Sequence, residues 1–96
     1  MIKQSRMQKL IALLEEAVIL AGQYTGGYSG EFLSAEEFHD ALLLCVTKLK
    51  QGDKLQLEKI NIWFAPTSCW DDFVGIQGLN LGNQISELTS KIIEEI

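Results

Sequence analysis

The stretch Asp53-Lys54-Leu55-Gln56-Leu57-Glu58-Lys59-Ile60-Asn61-Ile62-Trp63-Phe64-Ala65-Pro66 decides the fold class, because it supports both a strand and a helix reading. Leu55, Leu57, Ile60, Ile62 and Phe64 come close to the alternation of a half-buried strand, whereas Leu55, Ile60, Trp63 and Phe64 also fit a helical face. The cap chemistry favours the helix. Asp53 follows the hinge residue Gly52 as N-cap, Gln56 holds the capping-box position, and Pro66 disfavours helical backbone at Ala65 and so ends the segment. Read as a helix, this stretch makes every element of the chain helical.

Toward the N-terminus, the best-specified junction has Ser34 as N-cap, Glu37 three residues on, and Leu33 paired with Phe38 as a hydrophobic staple. The helix that starts there turns Phe38, Ala41, Leu42, Cys45, Val46 and Leu49 inward, and Lys48 and Lys50 complement its dipole before Gly52 stops it. Residues 5–23 form a long first helix, with Met7, Leu10, Ile11, Leu14, Ala17, Val18 and Ala21 on a wide apolar face. The glycine-rich run Thr25-Gly26-Gly27-Tyr28-Ser29-Gly30 reads as a mobile linker. Its Tyr28, with Tyr24, is open to a protein partner.

Toward the C-terminus, Thr67 or Ser68 caps one short turn through Cys69-Trp70-Asp71-Asp72-Phe73, which Gly75 stops. A loop over 75–80 then leads into a last helix with Leu81, Ile85, Leu88, Ile92 and Ile96 in one stripe. The expected architecture is all-α, a compact antiparallel four-helix bundle with one extra short helical turn, in a single domain over residues 1–96.

Composition narrows the function classes. Thirteen acidic against eight basic residues give a net charge of −5, which opposes nucleic-acid binding, because that affinity rests on clustered Lys and Arg. The basic N-terminus followed by Leu10-Ile11-Ala12-Leu13-Leu14 imitates an export signal, but Glu15-Glu16 interrupt it. No apolar run reaches the roughly 20 residues needed to span a bilayer. A cytoplasmic location without a membrane partner is expected, and two cysteines, Cys45 and Cys69, suit a reducing compartment as free thiols.

The candidate chemistry is sparse. Cys69 opens the short turn, where a helix dipole favours thiolate, and His39 is the only histidine available as its base; Asp71 and Asp72 work against ionisation. Glu36-x-x-His39 has the spacing of a di-iron ligand pair, but a second such pair needs a second histidine, and a lone set of Glu36, His39 and Asp40 opens a helix, where carboxylates ordinarily face water. No metal or other cofactor is expected. The glycine run lacks the lysine and the spacing of a phosphate loop.

Recognition is the stronger reading. Trp63, Phe64, Trp70 and Phe73 anchor the turn on the bundle; alternatively, Trp70 is an exposed anchor ringed by Asp71 and Asp72, the composition of a protein-binding hot spot. The segment Trp63 to Gly75, followed by Leu81-Gly82-Asn83-Gln84-Ile85, resembles the C-terminal half of small bacterial helical proteins of uncharacterised function, a group in which some members resemble toxin-immunity proteins. The resemblance covers about the last third of the chain and transfers no catalytic residue. It implies a non-enzymatic protein that neutralises a toxin. The expected binding residues are Trp70, Asp71 and Asp72, with Glu36, Glu37 and Asp40, facing a basic toxin domain. The alternatives are a homodimer pairing through the first helix and, behind it, an enzyme built on Cys69 and His39.

Overall fold

The chain folds into helix α1 (Ile2–Ala21), α2 (Ala35–Lys50), α3 (Gln56–Trp63), α4 (Cys69–Phe73) and α5 (Leu79–Glu95), with a 3₁₀ turn, Gly75–Gly78, joining the last two. The computed structural model describes residues 2–29, 32–65 and 68–95, with side chains from Arg6 onward. Among the described residues no strand forms, and the one isolated bridge pairs Ser29 with Phe32. No helix among them is long and apolar enough to cross a membrane. The all-α reading holds.

The ambiguous stretch is helical because its start is chemically specified. Asp53 Oδ1 accepts the Leu55 N–H at 3.1 Å, and Oδ2 accepts from Gln56 Nε2 at 2.9 Å. Regular α-helix begins at Gln56, so Asp53 is not the N-cap that its spacing suggested: the cap position falls on Leu55, 77% exposed and without a side-chain cap bond, and Asp53 instead closes the turn just before the helix. Pro66 and Thr67, expected as stop and cap, lie outside the described residues; Ser68 is the N-cap of α4, with no side-chain bond of its own to the helix.

Pairs of cross-helix contacts give the directions. Glu15 meets Lys50 while Gly22 lies over the His39 ring, so α1 and α2 are antiparallel. Cys45 Sγ donates to the Gln56 carbonyl while Phe38 meets Trp63, so α2 and α3 are antiparallel as well. Arg6 pairs with Glu95 at one end of the α1–α5 contact, and Leu81 lies beside Ile19 and Leu20 at the other. α5 also packs on α3, where Ser90 Oγ donates to Asn61 Oδ1 at 3.1 Å. The four longer helices therefore run up and down in turn.

All four phenylalanines and both tryptophans meet in one cluster. Phe38 is its hub, with Phe32 edge-on at 5.3 Å, Trp63 edge-on at 5.8 Å and Phe73 stacked at 5.4 Å. Offset and edge-to-face pairs of this kind add to the area they bury by aligning ring edges with ring faces. The cluster holds α2, α3 and α4 together at one end of the bundle. Below it the core is aliphatic, with Leu10, Leu14, Leu42, Leu57, Ile60 and Ile85 fully or almost fully buried.

Three expectations are corrected. The staple partner of Phe38 is Phe32, because Leu33 points to solvent at 71% exposure. The buried line of α5 is Gly82, Ile85, Thr89 and Ile92, so Leu81 and Leu88 only flank it; Thr89 is tolerated because its hydroxyl donates back to the Ile85 carbonyl at 2.6 Å. Ile96 lies outside the described residues.

The third concerns the glycine run, which is tied down rather than free. Gly26 and Gly27 adopt φ of +70° and +81°, bending the chain so that Gly26 accepts from Ala35 N at 2.6 Å and Ser29 bridges Phe32. Gly27 rests against the Phe73 ring, and the Tyr24 hydroxyl donates to Gln77 Oε1.

Candidate functional site

Trp70, the expected exposed anchor, is fully buried. The sequence of α4 offers one turn of helix, which puts Trp70 and Phe73 on the same side, and both turn into the aromatic cluster. The indole Nε1–H donates to the Gly78 carbonyl at 2.8 Å, so the ring loses no hydrogen bond on burial. Phe64 covers it at 4.8 Å. A residue held this way is a structural pin and has no surface to offer a partner.

The carboxylates expected to serve recognition differ in exposure. Glu36, Glu37, Asp40 and Asp72 are exposed and Asp71 is half-buried. The glycine run brings the two acidic segments together, since the Gly26 N–H donates to Glu36 Oε1 at 2.8 Å and the Ser29 hydroxyl donates to Asp72. Gly26 and Ser29 are three residues apart, so the two anchored points lie within about 11 Å of each other. The bond from the Gly26 amide holds the Glu36 carboxyl below the usual carboxylate range. Glu37 caps its own helix by accepting from Leu33 N at 3.3 Å, while Ser34 Oγ accepts from Glu37 N.

The same segments carry exposed apolar side chains. Tyr28 is 72% exposed at the middle of the run, Leu33 is exposed beside the N-cap of α2, and Ile76, at 88%, adjoins the Gln77 that Tyr24 binds. Tyr28, rather than Trp70, is the exposed aromatic of these segments. Its rigid ring offers contact area at little entropic cost. Nothing in local sequence separated Tyr28 from Trp70 for this role; the spacing Gly78-x-x-x-Gly82 was the available signal, because glycines four apart on a helix start leave a slot for a large ring.

The residues considered for catalysis and metal binding have structural surroundings. His39 Nδ1 lies 3.2 Å from Asp40 Oδ1, and the opposite ring edge packs on Gly22. Cys69 is half-buried against the core, while Cys45 is buried and its thiol is pushed up to about 11 by burial. Among the described residues no three of His, Cys, Asp and Glu gather into a group that could hold a metal ion. The chain matches no protein-family model, no curated protein and no solved structure.

Proposed function

We propose that this protein is a non-enzymatic protein-binding module, an immunity-type inhibitor that covers a basic surface of a bacterial toxin in the cytoplasm. The observation that carries the reading is the glycine run, which joins Glu36 to Asp72 and sets exposed Tyr28 between them. Acid around an apolar anchor speeds encounter with a basic partner and gives the complex a desolvated centre. The binding set is Tyr28, Leu33 and Ile76 with Glu36, Glu37, Asp40, Asp71 and Asp72; Trp70 supports it from beneath.

The test is capture by the immobilised protein at low salt from a bacterial lysate, followed by elution with salt. One basic protein is expected, with capture lost in Tyr28→Ala and in Glu36→Gln/Glu37→Gln. Glu87→Gln/Glu94→Gln, on exposed positions of α5, removes the same charge and should leave capture intact. Equal loss in both double variants would reduce the effect to net charge and sink the assignment of this end.

A second reading, a homodimer through α1, is favoured by Ile19, which is 68% exposed beside Leu20 and Leu81 over a shallow apolar hollow. Light scattering across a concentration series tests it, with Ile19→Lys expected to abolish any dimer.

A further inference from the structure

A second concave feature lies away from the acidic end, between α2 and α3, with a volume of about 340 Å³. Its floor is made by the buried Phe32, Cys45 and Trp63, and its lips by Leu44 and Ile62, which are 56% and 64% exposed. Exposed aliphatic side chains standing over a buried aromatic floor make an apolar slot. The charged residues that line it are two lysines, Lys48 from α2 and Lys59 from α3, on a chain whose net charge is −5. Among the described residues neither lysine enters an ion pair.

We infer that this groove binds an amphiphilic carboxylate, an elongated apolar body lying over Trp63 and Phe32 with its carboxylate between Lys48 and Lys59. The inference is independent of the acidic end and its partner. Charge complementarity selects an anion. Asp53 is held by the Leu55 N–H and Gln56 Nε2 and, among the described residues, makes no ion pair with either lysine. Both lysines act on the Cys45 thiol, yet burial outweighs them and keeps that thiol protonated, so the floor stays apolar at neutral pH. Size selects a small molecule over a protein: nine residues line the groove, against the roughly 20–30 a side of a standard protein interface.

The test is a titration of the labelled protein with decanoate below its micellar concentration, followed by NMR. Saturable shifts are expected at Ala41, Leu44, Cys45 and Ile62 and at the Trp63 indole. Decanol, with the same apolar body and no charge, should bind about tenfold more weakly. Lys48→Gln/Lys59→Gln should bring decanoate down to the level of decanol, whereas Lys9→Gln/Lys91→Gln, an equal change in net charge elsewhere, should not. Equal affinity for decanoate and decanol, shifts confined to other residues, or an unchanged response in Lys48→Gln/Lys59→Gln would each overturn the inference. Tighter binding of an acidic amphipathic helical peptide to the same residues would assign the groove to a protein segment instead. Shifts there that grow with protein concentration alone would assign it to a second copy of the chain. Either result overturns the proposal.

Discussion

Trp70 lies so close over Gly82 that a Cβ on that glycine would fall 2.5 Å from Trp70 Cδ1 and 2.6 Å from Nε1. The same ring closes over Gly78, where a Cβ would meet Trp70 Cζ2 at 2.6 Å. Two glycines therefore form the slot that accepts the largest side chain of the core, and Gly82 is kept inside α5 against its helix propensity.

Gly82→Ala should consequently destabilise the protein, although the same change at an open helical site stabilises by up to about 1 kcal/mol. The indole is fully buried and cannot swing away, so overpacking dominates and the net loss is about 1–2 kcal/mol. Urea unfolding measures it; a gain in stability would show that the slot is looser than described.

Trp70→Phe should cost about 2–4 kcal/mol, combining a cavity with a Gly78 carbonyl left without its donor. Partner capture by the refolded fraction should persist, since Tyr28 and the carboxylates are untouched. A variant that stays fully stable yet loses its partner would restore Trp70 as a contact residue.

The bond between Gly26 and Glu36 predicts an acid-side response. Because the folded Glu36 carboxyl titrates below its ordinary value of 4.5, its contribution is present above that value and fades as pH falls through the lowered one. The Gly26 amide resonance should report this midpoint below 4.5, and Glu36→Gln should remove the transition. A midpoint at or above 4.5 would mean that the bond does not persist in solution.

Cys45 predicts the opposite, alkaline response. Its folded value is raised from 9.0 to about 11, so stability is full below 9, falls as unfolded chains ionise between the two, and levels off above. The loss is on the order of 2 kcal/mol. Relative to Cys45→Ala in a Cys69→Ser background, unfolding free energies measured across that window should converge. In the native protein a thiol reagent should modify half-buried Cys69 well before Cys45.

Local chemistry by itself determined the helices. Ser34 with Glu37 caps α2, Asp53 with Gln56 closes the turn that leads into α3, and the glycines at 52 and 75 have φ values of +99° and +70°; these are contacts within a few residues, which sequence spacing encodes directly. The alternating apolar pattern of residues 54–65 misled only as far as periodicity was read without its cap. The exposure of Glu36, Glu37, Asp40 and Asp72 was legible too, since a charged side chain costs too much to bury without compensation.

Only the tertiary structure decided which aromatic is buried and which is exposed. Trp70 and Tyr28 both neighbour glycine and acidic residues in sequence, and no local rule distinguishes a ring that finds a slot from one that does not. The slot is made by Gly78 and Gly82 on a later turn and helix, and the carbonyl that takes the indole proton is eight residues away. Likewise, the α2–α3 groove exists because two antiparallel helices pack side by side and bring Lys48 of one and Lys59 of the other to the same hollow. Caps act through the backbone of their own turn; burial depends on what the rest of the chain brings alongside.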